Sequence, residues 1–152
     1  MVCDFFCPRL GGVEMHIWSL AQCLLARGHH VIVATHAYPG GRRGVRYMSK
    51  GLKVYYCPLY PVMDACVLPS VHLFMPMLRQ MCARERITCI HAHQAMSTMG
   101  NEALLYARLF GLGTVYTDHS LFGLSDISSM NINKVLTMSM LDVDHAICVS
   151  NT

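Results

Sequence analysis

Three short segments hold residue types that can do chemistry at useful spacings. The first is Gly11-Gly12-Val13-Glu14. Two residues without side chains let a backbone approach a ligand, and a helix start just beyond them offers free N–H groups and a positive dipole end. That suits a phosphate or a sugar hydroxyl; it suits equally a tight turn that only needs glycine, with Glu14 as an ordinary first-turn acid. The dinucleotide pattern G-x-G-x-x-G is missing, which disfavours a nicotinamide cofactor. The second segment carries Cys89, His91 and His93 at every other position, so a strand points all three to one face. Thiolate and imidazole are zinc ligands, but no fourth ligand stands at a recognisable spacing, so hydrogen-bonded strand-end histidines are expected and a metal is not. The third is Thr117-Asp118-His119-Ser120. His119 is suited to meet a sugar hydroxyl or a developing charge, and Ser120 to hold a phosphate; taken locally, the same residues make a capped loop.

The elements that must position these segments alternate in type. Short apolar, β-branched runs at Val2–Phe6, His30–Thr35, Leu52–Cys57, Thr88–His91, Thr114–Thr117 and His145–Val149 predict strands. Between them, 3.6-residue periodicity predicts helices from Val13 to Gly28, from Leu68 to Arg84, from Ser97 to Phe110 and from Asn133 to Leu141. Strands that are apolar on both faces and separated by helices imply a mostly parallel, doubly wound, Rossmann-like α/β sheet. In such sheets ligands sit at the carboxyl ends of the strands, where all three segments fall.

With 53% hydrophobic and 14% charged residues, the 152-residue chain has the composition of one folded domain with a substantial core rather than a disordered segment. The formal charge of +3 argues little for an anionic partner. None of the eight cysteines forms a C-x-x-C pair, and an acid appears at Asp4, so reduced thiols and no signal peptide are expected. No apolar run reaches the roughly 20 residues of a membrane-spanning helix. Arg42, Arg43, Arg46, Lys50 and Lys53 crowd five cations into twelve residues with no acid between them. They form either a solvated loop or a face toward anionic lipid, at about 1 kcal/mol per cation near such a surface. The nearby stretch 65–78 is almost uncharged and is either core helix or an apolar face on a membrane interface. Aromatics are not interleaved with the cations, so no nucleic-acid partner is expected.

Four segments in order, DFFCPRLGGVEMHIWSLAQCLLARGHHVIVATHAY, RRGVRYMSKGLKVYYCPL, RERITCIHAHQAMSTMGNEAL and TVYTDHSLFGLSDISS, resemble the GlcNAc-phosphatidylinositol synthase family of glycolipid-anchor assembly. The resemblance covers essentially the whole chain. It implies a retaining transferase of the GT-B type, with residues 1–152 as a single amino-terminal, acceptor-side domain. UDP-GlcNAc would be held mainly by a donor domain outside these residues, phosphatidylinositol would be the acceptor, and no metal or cofactor would be needed. By the same resemblance Gly11 and Gly12 lie near the donor phosphates and acceptor, and His119 contacts the transferred sugar; Glu14, beside the glycines, is a candidate substrate-binding residue. His93 would line the cleft and Ser120 would touch the acceptor phosphate. The implied setting is a complex with other subunits at the cytosolic face of the endoplasmic reticulum membrane, with a membrane anchor also outside this chain. The short first strand fits Met1 being an internal methionine of a longer frame. The isolated chain is expected to lack transfer activity. Two alternatives are a truncated, non-catalytic product that modulates the transferase complex, and an unrelated nucleotide-binding module.

Overall fold

The computed structural model describes residues 1–38, 40–63, 66–119 and 127–149. Apolar residues drive two parallel blocks of sheet. In the first, β1 (Ile32–His36) lies parallel to β3 (Lys53–Cys57), and β2 (Gly44–Tyr47) adds to β3 as an antiparallel edge. In the second, β6 (Cys89–His93), β7 (Gly113–Asp118) and β8 (His145–Cys148) run parallel. Val2 joins the blocks, bridging Ala34 on one side and Ala92 on the other, both in parallel sense. The order across the sheet is therefore β2-β3-β1-Val2-β6-β7-β8. A separate hairpin pairs β4 (Pro61–Met63) with β5 (Cys66–Val67).

The expected strand over Val2–Phe6 is much shorter than its apolar run suggests. Val2 N–H donates to the His91 carbonyl and Cys3 N–H to that of Ala34, but Asp4 N–H donates to the Ser97 hydroxyl and Phe5 N–H to the Cys3 sulfur. Side chains take the donors that a ladder would need, and the chain leaves the sheet. The other expected elements are present with shifted ends.

Helix α1 (Gly12–Ala26) buries Ile17 and Ala21 against Val33, Val54 and Tyr56, and Gly28, at φ 84°, turns the chain out after it. Helices α2 (Val71–Glu85) and α3 (Thr98–Leu109) pack Phe74, Leu78, Met99 and Ala103 against Ala34 and Ile90. Neighbours along one strand, Val33 and Ala34, thus belong to different cores, as a sheet covered on both faces requires. Helix α4 (Ile127–Met140) adds Leu136 and Met140 beside Leu104 and Tyr116. Helix α2 starts three residues later than expected. Its first free donor, Ser70 N–H, is met by the Glu102 carboxylate of α3 at 2.6 Å, and Pro76 is accommodated inside it.

Fully buried Asp4 ties these pieces together. Its Oδ1 accepts from the Ser97 hydroxyl and from Met99 N–H, and its Oδ2 from Val67 N–H. Ser97 caps α3 through Gly100 N–H, so one carboxylate joins the central segment, the start of α3 and the β4–β5 hairpin. Burial pushes the Asp4 carboxyl up to about 6, against the pull of these donors.

Two outcomes follow. Ser97→Ala leaves buried groups of Asp4 and α3 unmet and should lower urea-measured stability by about 2 kcal/mol. Because the folded Asp4 pKa lies above the ordinary 3.8, the folded state binds the proton more tightly than the unfolded chain. Stability therefore declines as pH rises from about 4 to about 6, by on the order of 3 kcal/mol from this group. Asp4→Asn should remove that slope; an identical pH profile in parent and variant would contradict the assignment.

Candidate functional site

Strand order reverses at the centre of the sheet. From the Val2 segment the chain passes through α1 to β1 on one side, while β6 flanks the other. The region above that point, at the carboxyl ends of the strands, is where such sheets usually form their ligand crevice. His93 ends β6, His119 follows β7, and the first turn of α1 closes the third side.

The two glycines of that turn differ in what they permit. Gly11 is the N-cap, in extended conformation with no side-chain cap. A Cβ on it would stand 2.5 Å from Glu14 Oε2, so glycine is required for the carboxylate to fold back over the helix start. Glu14 is buried and lies 3.9 Å from Arg9 Nε. It is therefore a packed structural acid as well as a candidate binding residue. A Cβ on Gly12 would meet nothing within 4 Å, so this position faces open space, where a ligand has access to the helix start.

Three imidazoles converge beside that turn. His93 is fully buried, and its Nδ1 lies 3.3 Å from His119 Nε2. His16, one turn into α1, sets its ring 4.6 Å from that of His119 and 5.7 Å from that of His93. One ring nitrogen from each of His16, His93 and His119 lies within 4.8 Å of the others. His91 stacks on His93 at 4.1 Å and bonds Thr117 Oγ1 at 2.7 Å. Burial lowers the His91 pKa to about 4 and pushes those of His93 and His119 down as well, so these three rings are neutral at neutral pH. A neutral imidazole offers one donor and one acceptor, the set needed to hold a hydroxyl or, with its lone pair, a metal ion.

Of the expected Cys89–His91–His93 grouping, His91 and His93 do stack side by side; Cys89 is exposed with its thiol turned to the Ile90 carbonyl, and His93 also meets His16 and His119. Cys89 sits four residues upstream at the far end of the strand, while the crevice is at its carboxyl end. Ser120 lies outside the described residues. Sequence reasoning misses His16, because a lone histidine between Met15 and Ile17 looks like any position of an amphipathic helix. Its place five residues beyond Gly11 is the available signal.

The basic stretch does not form one face. Arg42 reaches the Tyr56 hydroxyl at 3.4 Å, toward the crevice end of β3, and Arg43 is exposed beside it. Arg46 is exposed on edge strand β2, and Lys50, at φ 56°, lies in the turn (Ser49–Gly51) near the opposite end. Lys53 pairs with Glu85 of α2, a partner 32 residues away that the local sequence hides. The uncharged stretch divides too: Phe74 and Leu78 are core, while Leu68 and Leu73, with Tyr60 and Val62 just before them, are largely exposed. Among the described residues no helix is long and apolar enough to cross a membrane. A cavity lined by Val31, Ile32, Leu78 and Ile90, with His91 at one side, opens beside Met1, and neither Gly12 nor His16, His93 and His119 lines it.

The fold is that of sucrose-phosphate synthase from Thermosynechococcus elongatus, a GT-B protein. The match has a TM-score of 0.69 at 17% identity over 90% of this chain and 36% of that one, and a partial chain of the same synthase gives 0.65 at 18% identity over 92% and 74%. A phosphatidylinositol N-acetylglucosaminyltransferase subunit from Arabidopsis thaliana is 54% identical over all of this chain and 34% of its own length. Its Homo sapiens counterpart is 52% identical over all of this chain and 31% of its own length, and the Schizosaccharomyces pombe gpi3 subunit of the same transferase 49%, over 33% of its length. The chain thus spans about a third of the relatives it matches. The family model for PIGA (GPI anchor biosynthesis) matches residues 36–126, more than half of the chain, and the chain belongs to that family.

Proposed function

We propose that this chain forms the acceptor-side wall of a pocket in which N-acetylglucosamine passes from UDP-GlcNAc to phosphatidylinositol, the first step of GPI-anchor assembly. The observation that supports it is the convergence of neutral imidazoles on the open start of α1, in a chain of the PIGA family. In the transfer, an inositol hydroxyl attacks the anomeric carbon, the bond to the UDP oxygen breaks, and the hydroxyl proton leaves with the departing phosphate. The chain's part is positioning and polarity. The N–H groups at the start of α1 face a phosphate, His119 holds a hydroxyl of the moving sugar, and His93 orients His119 through the 3.3 Å Nδ1–Nε2 contact. A neutral ring suits this role, since a fixed positive charge would oppose positive charge developing at the anomeric carbon. Gly11 and Glu14 keep the turn open, and Ser120, next in sequence to His119, is assigned to the acceptor phosphate.

The donor nucleotide, under this proposal, is held mainly by the part of the relatives that residues 1–152 do not span. Residues 1–152 alone would then yield no GlcNAc-phosphatidylinositol from purified components; product formation by them would refute the division of labour. In a chain extended to the relatives' full length, His119→Ala should lower turnover more than about tenfold, the scale of a lost polar positioning contact. Normal turnover in a folded His119→Ala variant would remove His119 from the site.

The acceptor is a lipid, so this wall works against a membrane, assigned to the cytosolic face of the endoplasmic reticulum and to a complex with the transferase's other subunits. Exposed Tyr60, Val62, Leu68 and Leu73 supply an apolar contact, and Arg42 and Arg43 the cationic one. Binding to vesicles containing anionic lipid should fall with salt and with the joint Arg42→Ala and Arg43→Ala change, while Lys53→Ala has little effect because Glu85 already holds that charge. Equal loss with Lys53→Ala would show the whole stretch to be the contact.

A further inference from the structure

We infer that His16, His93 and His119 form a three-histidine site for a borderline divalent transition ion of the Zn²⁺, Co²⁺ or Ni²⁺ class. Each comes from a different element: α1, the end of β6 and the segment after β7. One nitrogen from each lies within 4.8 Å of the others. A tetrahedral ion with bonds of about 2.0–2.1 Å to nitrogen sets its ligands about 3.4 Å apart. The His93 Nδ1–His119 Nε2 distance of 3.3 Å already matches one such edge. Closing the other two requires movement only of His16 and His119, both partly exposed and so free to adjust.

A second observation comes from His93 itself. Its ring is fully buried, and among the described residues its Nε2 has no hydrogen-bond partner. A buried polar atom without a partner is uncommon and calls for an explanation. Nothing among the described residues holds that edge, so Nδ1 can ligate without any bond at Nε2 being lost. In the absence of an ion, the His93–His119 contact needs a proton between two nitrogens; an ion replaces that proton and uses both lone pairs. Behind the cluster, His91 stacks on His93 and is itself fixed by Thr117 Oγ1, which limits how far His93 can tilt.

The donor set selects the ion. Three imidazoles with no carboxylate in the group suit zinc and its neighbours and offer nothing to Mg²⁺ or Ca²⁺, which require oxygen. Three protein ligands leave the fourth position open toward the crevice, where water or a substrate oxygen would sit. This goes beyond the transfer proposal, which needs only neutral rings and stands or falls on turnover.

The test is titration of the metal-free chain with Co²⁺ and with Zn²⁺, followed by visible absorption and calorimetry. The expected result is one ion per chain at micromolar or tighter affinity, a tetrahedral Co²⁺ spectrum displaced by Zn²⁺, and no competition from Mg²⁺. His16→Ala and His119→Ala should each weaken binding by at least about tenfold, while the joint change His29→Ala and His30→Ala, two histidines outside the cluster, leaves it unchanged. If either cleft variant is misfolded by circular dichroism, His16→Gln and His119→Gln, which keep more of the side-chain volume, replace them. No stoichiometric binding below about 100 μM, or binding that survives both cleft changes and is lost with His29 and His30, would overturn the site.

Discussion

A carboxylate in the dry centre of the molecule is the constraint on which the rest depends. Asp4 has no contact with water, yet its oxygens are met by three donors from two distant parts of the chain: Ser97 and Met99 at the start of α3, and Val67 of the hairpin. Burial raises the cost of its charge, and each donor offsets part of that cost. Ser97 matters most of the three, because its hydroxyl also accepts from Asp4 N–H and Gly100 N–H. The arrangement also fixes the crevice. Asp4 follows directly on Val2 and Cys3, and those two hold His93: Val2 by its carbonyl, which accepts from His93 N–H, and Cys3 by its thiol, which donates to the His93 carbonyl. A structural acid and a candidate functional base are therefore joined through two residues of backbone.

What the sequence reveals depends on whether the signal is local. The five residues of β1 are all buried, and a strand buried on both faces shows itself as an apolar run in any window. The end of α3 is equally plain, since Gly111 adopts φ 68°, a conformation that glycine takes readily. The failures share a cause. The Val2–Phe6 run looks like a strand because its side chains are apolar, but its hydrogen bonds are decided by Ser97, more than ninety residues on. Lys53 looks like part of a cationic stretch because Glu85 is distant in sequence and adjacent in space. His93 and His119 are legible from their positions at strand ends, whereas His16 sits within a helix whose periodicity is indifferent to it.

The electrostatics of the crevice follow from packing more than from composition. Four imidazoles lie in contact, and burial is the largest influence on the three whose pKa values fall. Each ring that took a proton would also repel its neighbours, so the cluster resists charging as a group. Of the fixed cations near this end, Arg9 stands 3.9 Å from buried Glu14, while Arg42 and Arg43 stay on the surface, where solvent screens them. The result is three neutral rings, His91, His93 and His119, next to the start of a helix over which the buried Glu14 side chain is folded.

The adjacent glycines show how a single motif answers to two demands. Gly11 answers to the protein itself: a side chain there would displace the Glu14 carboxyl group from its place beside the helix start. Gly12 meets no such limit, and any Cβ at that position would point into empty space. Gly12 is exposed at the first position of the helix and leaves that end of it uncovered. Because Gly12 begins the same helix that carries His16, the uncovered helix start lies one helical turn from the imidazole cluster. The geometry of α1 alone thus sets the separation between its start and His16, and the Asp4 network fixes the segment, Val2 and Cys3, against which His93 stands.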